Sequence, residues 1–125
     1  VTAREGIGLL AYSPLGQGYL TGKYLGGARP AGARSTLFDR GQRYEKVNSE
    51  AAVGAYCDLA RDLGISPATL AIAFVASRGF VTSTIIGATT MAQLEEDLAA
   101  FAFEITPEVA ARIDEIHLLH PNPAP

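Results

Sequence analysis

The stretch Leu10-Ala11-Tyr12-Ser13-Pro14-Leu15-Gly16 decides the fold class of this chain, because an apolar run ends abruptly there in a loop marked by proline and glycine. The run begins at Ile7, and an unbroken apolar run is typical of a strand that a parallel sheet buries on both faces. A second strand is expected at 81–86, where Thr84-Ile85-Ile86 is likewise followed by a glycine, Gly87. The sequence therefore predicts two parallel strands, at 7–12 and 81–86, in an α/β protein.

Four helices are predicted from apolar spacing and from start and stop residues. They cover 50–63, a segment from Ser66-Pro67 to just before Gly79, 90–101, and a segment starting at Thr106-Pro107. The side chains expected to pack inward are Ala52, Tyr56, Leu59, Ala60 and Leu63 on the first helix, Leu70, Ala71, Phe74 and Val75 on the second, Leu94, Leu98 and Phe101 on the third, and Val109, Ile113 and Ile116 on the last. A capping box of Thr90 and Gln93 opens the third helix. Residues 120–125 hold three prolines and should form an extended tail.

Residues 16–49 show no sustained period and are rich in glycine, so this long connection is either a functional loop or disordered. It is also basic, since six of the ten Lys and Arg residues fall between positions 23 and 46: Lys23, Arg29, Arg34, Arg40, Arg43 and Lys46. A basic loop suits an anionic small ligand, although a solvated loop explains the same composition. Tyr19, Tyr24 and Tyr44 are expected to pack or to anchor this loop.

Composition narrows the class of protein. The chain has 125 residues, 48% of them apolar, which suits one domain with a hydrophobic core. Its net charge of −3 gives no reason to expect a nucleic acid or an acidic membrane surface as partner. Cys57 is the only cysteine, so no internal disulfide is possible; it is expected to be a small buried hydrophobe, and the expected compartment is a reducing cytoplasm. The sequence shows no signal peptide and no apolar run long enough to cross a bilayer.

The ends of the two predicted strands carry residues suited to a phosphate. After the second strand, Gly87 allows close approach of a ligand, Thr89 and Thr90 offer hydroxyls, and the following helix start leaves backbone N–H groups unpaired. Gln93 and Glu96 share a helix face near that end. An ordinary capped helix after an ordinary strand explains this segment equally well. After the first strand, Ser13, Leu15 and Gly16 lie at the same edge of the sheet, in a pliable loop whose Lys23 and Arg34 suit phosphate.

Three groups of residues, taken in order, resemble the aldo-keto reductase family. They are Ala11-Tyr12-Ser13-Pro14-Leu15-Gly16, then Leu20-Thr21-Gly22-Lys23-Tyr24, then Ile86-Gly87-Ala88-Thr89-Thr90 with Gln93-Leu94-Glu95-Glu96-Asp97. These residue groups are similar to those of the Tas-like bacterial branch of the family, which is related to the voltage-gated potassium channel β-subunits. The resemblance covers essentially the whole chain. It implies a C-terminal fragment, residues 1–125, of a single (β/α)8 TIM barrel domain, with about the last two βα units and a final helix. A start at Val1, without a methionine, agrees with that expectation.

The resemblance also implies NADP(H) as cofactor. Tyr12 would stack on the nicotinamide, residues 13–23 would wrap the pyrophosphate as a closing loop, and Lys23 and Arg34 would contact phosphates, including the 2′-phosphate. The implied adenosine pocket comprises Gly87, Thr89, Gln93, Glu96 and Asp97. The complete set of implied cofactor-binding residues is Tyr12, Ser13, Pro14, Leu15, Gly16, Gln17, Gly18, Lys23, Arg34, Gly87, Thr89, Gln93, Glu96 and Asp97.

Three positions depart from the pattern of the family. Many members carry Lys where Gly87 stands and Arg where Gln93 stands, so selectivity for the 2′-phosphate would rest here on Lys23 and Arg34. Asp97 stands where Asn is usual, and its charge should weaken phosphate contacts unless it accepts from adenine or a ribose hydroxyl. The family's catalytic Asp, Tyr, Lys and His lie on earlier strands. Neither His117 nor His120 is expected to replace them, and no metal site is expected.

The resemblance favours part of an oxidoreductase that reduces aldehydes or ketones to alcohols by hydride transfer. A non-catalytic, redox-sensing NADP(H)-binding subunit of the channel-β type is an alternative, and a barrel of another chemistry with a shared phosphate site is a third. The expected partners are a small carbonyl substrate and the six-stranded N-terminal part of the same barrel. Because two strands cannot close a sheet, the isolated chain is expected to fold poorly or to self-associate.

Overall fold

The computed structural model describes residues 1–38 and 42–124. Asp39, Arg40, Gly41 and Pro125 lie outside the described residues, so the expectations for Arg40 in the basic loop and for the end of the tail are not addressed by it. The chain has α/β content, with a small parallel sheet, six α-helices and short 3₁₀ turns within the described part.

The sheet consists, within the described residues, of β1 (Leu10–Tyr12) and β2 (Ser83–Ile85), which pair in parallel. Their register joins Leu10 to Ser83, Ala11 to Thr84 and Tyr12 to Ile85. The two predicted parallel strands are thereby confirmed, but both are shorter than predicted. Regular pairing begins only at Leu10, because Thr82 binds both backbone groups of Leu9. The Thr82 side-chain Oγ1 accepts from Leu9 N at 3.1 Å, and the Thr82 N–H donates to Leu9 O at 2.9 Å.

The expectation that the strands are buried on both faces is wrong for this chain. Leu10, Tyr12 and Ile85 are exposed, whereas Ala11 and Thr84, on the opposite face, are half-buried on the side where α4 packs against β2. Side chains alternate between the two faces of a strand. Helices therefore cover one face of the sheet, and no described element covers the other.

The helices are α1 (Thr2–Glu5), α2 (Arg34–Phe38), α3 (Ser49–Asp62), α4 (Pro67–Ala76), α5 (Met91–Ala99) and α6 (Pro107–Leu119). The predicted starts of α4 and α6 are confirmed by their caps, since Ser66 Oγ accepts from Thr69 N at 3.0 Å and Thr106 Oγ1 accepts from Val109 N at 3.3 Å. Each cap precedes a proline at the first helical position, where a missing N–H is harmless. The short α1 is not predicted from the sequence.

The main core lies between α3, α4 and α6. Its buried members are Leu59, Ala60, Leu70, Val109 and Ile113, with Tyr56, Leu63, Phe74 and Ile116 packed against them. The predicted inward faces of α3 and α6 are confirmed. On α4 the prediction was incomplete, because Ile72 is 0% exposed and Ala73 is also buried. The helix is apolar on all sides, so it buries Leu70 against the core and Ile72 on another side.

The predicted packing face of α5 is wrong for Leu98 and Phe101, although Leu94 is half-buried. Leu98 and Phe101 are 57% and 51% exposed, whereas Asp97 and Ala100 are buried. The neighbouring stripe of the helix faces inward because the small Ala100, in the 3₁₀ turn Ala100–Ala102, lets this end of α5 pack closely on α4. The Leu98 and Phe101 side chains are left on the surface.

The connection from Gly16 to Ser49 has secondary structure of its own in its described part, so the expectation of disorder is wrong there and the alternative of a functional loop stays open. It contains the 3₁₀ turns Gly16–Thr21, Leu25–Gly27 and Gln42–Tyr44 as well as α2. A second cluster, of Tyr19, Tyr24 and Ala33 with Tyr44 packed against them, holds these pieces together. The anchoring role predicted for these tyrosines is confirmed.

The tail does not extend as predicted. Residues 121–123 are bent, Asn122 has a positive φ of 48°, and the Ser49 hydroxyl donates to the Pro123 carbonyl, which ties the tail to the start of α3. Cys57 is buried, as predicted. Among the described residues, no single helix has the length and apolar character to cross a membrane; α3 and α4 pass that test only as a pair, with a bend of 94° between them.

Candidate functional site

Two loops leave the sheet side by side. Tyr12 ends β1 and is paired in register with Ile85, which ends β2, so residues 13–18 and 86–90 start from the same edge. The carboxyl ends of parallel strands are where α/β proteins place ligand-binding loops. The structure therefore brings the two halves of the sequence-predicted site to one edge of the sheet.

The first loop has a strained backbone. Ser13 and Gln17 have φ values of 55° and 59°, in the left-handed region that side chains rarely adopt, and Gly16 and Gly18 share that region. Gly16 N donates to Ser13 O and Gly18 N donates to Leu15 O, both at 2.9 Å, which closes two consecutive turns. Backbone strain of this kind costs about 1–3 kcal/mol per residue and persists where surrounding structure imposes it. The loop between Pro14 and Gly18 is thus held in one shape.

Gln17 carries an orphaned polar atom. Its side-chain Oε1 is buried and has no hydrogen-bond partner among the described residues. A buried acceptor without a donor costs about 1–3 kcal/mol, which a donor group that reached it on ligand binding would recover. The residues present at this loop are compatible with a bound cofactor that carries an amide or hydroxyl.

Lys23 lies back over the first loop. A Cβ atom added at Gly18 would come within 2.9 Å of both Cε and Nζ of Lys23, so the lysine side chain packs directly on that glycine. Its Nζ also lies 5.3 Å from the ring centroid of Tyr24, within the range of a cation–π contact. The structure brings Lys23 together with the Ser13–Gly18 loop.

Arg34 is placed differently. It begins α2 and is exposed, but its two neighbours in sequence, Ala33 and Ser35, are buried with the tyrosine cluster. Its backbone is therefore held beside Tyr24 while its side chain faces solvent.

The second loop is built around Gln93. Thr90 Oγ1 accepts from Gln93 N at 3.2 Å, so the predicted N-cap is confirmed. The reciprocal half of the capping box is wrong, because Gln93 Oε1 accepts from Thr89 N at 2.8 Å and from Thr89 Oγ1 at 2.9 Å rather than from Thr90. Since its oxygen is used in closing this turn, Gln93 has its amide N–H groups to offer a ligand. Gly87 has open space around its Cβ direction.

The two acids of α5 have different environments. Glu96 is exposed, whereas Asp97 is only 3% exposed. Burial, with a smaller contribution from the Glu96 charge, raises the pKa of Asp97 above its ordinary value. Burial therefore disfavours the charged form of this carboxyl relative to an exposed one.

Sequence reasoning missed the contribution of the Gln42–Tyr44 turn. Arg43 donates to the Tyr44 hydroxyl at 2.9 Å, and this bond, with a smaller contribution from the Tyr12 hydroxyl, raises the pKa of Arg43. The ring of Tyr44 lies where a Cβ atom at Gly16 would meet it at 3.5 Å. The long connection thus folds back over the end of β1. The sequence indicated only the basic character of the segment and an anchoring role for Tyr44, not this contact with the end of β1.

A cavity of about 510 Å³ opens beside Tyr12. Ser13, Pro14 and Leu20 line one side. Tyr56 of α3, together with α4 and α6, lines the rest, largely with apolar side chains that include Phe74 and Ile113. Asp114 and His117 are its charged and titratable members. His117 lies in the last turn of α6, as expected.

The fold defines an α/β protein with two neighbouring loops at the carboxyl ends of the strands of a parallel sheet. The sequence profile of the aldo/keto reductase family matches residues 1–118. The chain belongs to the aldo/keto reductase family.

Curated relatives support the expected branch of the family. The chain is 50% identical to "Protein tas" of Escherichia coli K12 over 125 residues, which is 100% of this chain and 36% of the relative. It is 36% identical over 121 residues to a "Probable voltage-gated potassium channel subunit beta" of Arabidopsis thaliana, covering 90% of this chain and 36% of the relative. It is 33% identical over 119 residues to "L-glyceraldehyde 3-phosphate reductase" of Escherichia coli O157:H7, covering 89% and 34%. The chain thus spans about a third of the length of these relatives.

Proposed function

We propose that this chain is the C-terminal part of an NADP(H)-dependent oxidoreductase that reduces aldehydes or ketones to alcohols. In this proposal it supplies about the last two βα units and the final helix of a (β/α)8 barrel. The observation that carries the proposal is the parallel register of Tyr12 with Ile85. This register places the loops that follow β1 and β2 together at the carboxyl ends of the two strands. Barrel enzymes bind their ligands at that edge.

The sheet supports a requirement for further strands. Leu10, Tyr12 and Ile85 are exposed on one face, and the relatives are about three times as long as this chain. Exposed apolar strands with unpaired edges are templates for pairing. The proposed partner for these edges is the six-stranded N-terminal part of the same barrel, which would also carry the catalytic Asp, Tyr, Lys and His.

The residues of this chain would bind and orient the cofactor. The nicotinamide, when bound, supplies the hydride. Tyr12 would stack against that ring, residues 13–18 would wrap the pyrophosphate, and Lys23 and Arg34 would neutralise phosphate charge. Gly87, Thr89, Gln93, Glu96 and Asp97 would hold the adenosine half. The orphaned Oε1 of Gln17 and the pre-shaped Ser13–Gly18 loop are compatible with this assignment.

The test is made on the full-length protein that carries this chain. Binding of NADPH and NADH is titrated by the change in their fluorescence, and turnover is followed as carbonyl-dependent loss of NADPH absorbance. A phosphorylated small aldehyde is a suitable first substrate, because one relative is named for such a substrate. Tight binding with turnover supports the oxidoreductase. Tight binding without turnover of any aldehyde or ketone favours the non-catalytic subunit, and absence of nicotinamide binding overturns the proposal.

A further inference from the structure

The tyrosine cluster holds together two segments that are far apart in sequence. Tyr19, Tyr24 and Ala33 are buried in it, and Tyr44 packs against them. The ring centroid of Tyr19 lies 4.6 Å from that of Tyr24 and 5.5 Å from that of Tyr44. Aromatic pairs at these distances stabilise by about 0.5–1.5 kcal/mol beyond the area they bury. These contacts stabilise the folded conformation of the connection, so it is not a solvated loop.

Hydrogen bonds link the tyrosines of the cluster to Ser35 and Glu45. Ser35 N–H donates to the Tyr24 hydroxyl at 3.2 Å, and this bond is buried. The Tyr19 hydroxyl donates to Glu45 Oε1 at 2.5 Å, so it accepts from the Ser35 hydroxyl, which lies 3.2 Å away. Ser35 is thus bound twice, through its backbone by Tyr24 and through its side chain by Tyr19.

The chain of bonds ends in an ion pair. Glu45, which accepts from Tyr19, also pairs with Arg29 at 2.7 Å. Burial, with the Glu45 bond next, raises the pKa of the Tyr19 hydroxyl, so its proton stays in place at neutral pH. The network therefore runs from Arg29 through Glu45, Tyr19 and Ser35 to the Tyr24 hydroxyl.

The residues next to this network are the two proposed phosphate ligands. Lys23 immediately precedes Tyr24, and Arg34 immediately precedes Ser35. The Tyr24–Ser35 bond therefore joins the backbone that carries Lys23 to the backbone that carries Arg34. The Lys23 side chain is already held over Gly18 and the Tyr24 ring, whereas the Arg34 side chain is exposed.

We propose that Tyr24 and Tyr19 are positioning residues that fix Arg34 relative to Lys23 and so determine the preference for NADP(H) over NAD(H). This inference rests on the proposed cofactor function. Since neither Gly87 nor Gln93 carries a charge, discrimination of the 2′-phosphate depends on cations whose spacing the network sets. A guanidinium contributes most when it is pre-organised for its phosphate.

The experiment measures the ratio of the dissociation constants for NADP⁺ and NAD⁺ in the full-length protein. Tyr24→Phe keeps the ring and leaves Ser35 N–H without its acceptor, so the backbone beside Arg34 is held only through the bond from the Ser35 side chain to Tyr19. We expect NADP⁺ affinity to fall by about threefold to tenfold with NAD⁺ affinity unchanged. Tyr19→Phe, which removes only the bond to the Ser35 side chain and the bond to Glu45, should shift the same ratio by less. Ser77→Ala, which removes a hydroxyl that donates to Phe74 O at the end of α4 and lies outside the network, is the control and should leave the ratio unchanged.

The outcomes separate this inference from the function beneath it. If the unaltered protein binds neither nucleotide, the proposed function fails. If it prefers NADP⁺ and Tyr24→Phe keeps that preference, the positioning role is wrong. Should Tyr24→Phe not fold, as judged by thermal unfolding, Tyr19→Phe decides, and an unchanged ratio in that variant overturns the proposal. A parallel loss of affinity for both nucleotides also contradicts it, because a merely structural role weakens both.

Discussion

Gly22 lies directly against Cys57: a Cβ atom added to this glycine would come within 2.7 Å of the cysteine Sγ. The glycine also has a φ of +79° and follows the 3₁₀ turn Gly16–Thr21 directly. This turn contains Gly18, on which the Lys23 side chain packs. The contact joins the first loop of the proposed site to α3. A glycine is needed here both for its backbone conformation and for the space it leaves.

Gly22→Ala should therefore destabilise the protein more than the loss of a glycine conformation alone. Gly26 has a similar φ of +66° but nothing within 4 Å of its Cβ position, so Gly26→Ala reports the backbone strain without the clash. We expect Gly22→Ala to lower the free energy of unfolding by about 1–3 kcal/mol more than Gly26→Ala, as overpacking does. Urea unfolding of the full-length protein with each of the two substitutions measures the difference. Cys57→Ala, which removes the Sγ, should recover most of it, and equal effects of the two alanines would contradict the contact.

Asp97 should be less stabilising than the asparagine that commonly stands at its position. Its pKa is raised, mainly by burial, so folding favours its protonated form. The stability from this preference is complete below the unfolded pKa of about 3.8 and is lost as pH rises through the higher folded pKa. Asp97→Asn should accordingly raise the free energy of unfolding at neutral pH by about 1 kcal/mol. The gain should shrink toward zero as the pH is lowered below about 4.

The control for Asp97 is its neighbour. Glu96→Gln removes an exposed carboxylate one residue away, and a surface change of this kind is expected to stay within about 0.5 kcal/mol. Denaturant unfolding at several pH values compares the two variants. A stabilisation by Asp97→Asn that does not depend on pH would mean that the charge of the buried carboxyl is not its cause.

Local signals predicted the helices well. Ser66 and Thr106 each cap a helix that starts with proline, and the cap, the proline and the first turn lie within four residues, so no distant contact is needed to place them. The two strands were predicted from apolar residues followed by proline or glycine, although their pairing joins distant parts of the chain, such as Leu10 and Ser83. Their shorter length arises from Thr82, whose side chain substitutes for the backbone pairing of Leu9.

Packing against particular neighbours was beyond the sequence. Leu98 and Phe101 form a regular apolar stripe, yet Asp97 and Ala100 face inward, because periodicity identifies an apolar face without showing which neighbour that face meets. The tyrosines were expected to anchor the loop, but the residues that they contact could not be predicted, for a related reason. Tyr19 and Tyr24 meet Ser35 only after turns at Gly18 and Gly22 with positive φ, and no period in the sequence encodes such turns.

The Tyr19 bonds should give the stability a dependence on alkaline pH. The raised pKa of Tyr19 means that its contribution is complete below its ordinary pKa of 10.0 and is lost as pH rises through the folded value. Tyr19→Phe should lower the free energy of unfolding by about 1–3 kcal/mol at neutral pH, because Ser35 and Glu45 each lose a partner. This difference between the two proteins should narrow above about pH 10. Urea titrations at neutral and alkaline pH measure it, and a constant difference would show that the hydroxyl proton is not involved.

Tyr12 should distinguish a nicotinamide site from a simple phosphate site. It is 70% exposed at the end of β1, so its ring is available for stacking and its loss should not disturb the core. In the full-length protein we expect Tyr12→Ala to weaken NADPH binding by about tenfold to a hundredfold, the value of one aromatic stacking contact of about 1–3 kcal/mol. Binding of 2′,5′-ADP, which lacks the nicotinamide, should be unchanged. Equal losses for both ligands would place Tyr12 in a different role.

The isolated 125-residue chain should self-associate. Leu10, Tyr12 and Ile85 expose one face of a sheet with unpaired edges, and Leu98 and Phe101 expose an apolar stripe on α5. Such surfaces pair with other chains when nothing covers them. Sedimentation velocity should show oligomers whose size increases with concentration. Leu98→Lys should reduce association, whereas Val47→Lys, which changes a fully exposed valine outside the stripe, should not. A monomer with a cooperative thermal unfolding transition would contradict the need for the remaining strands.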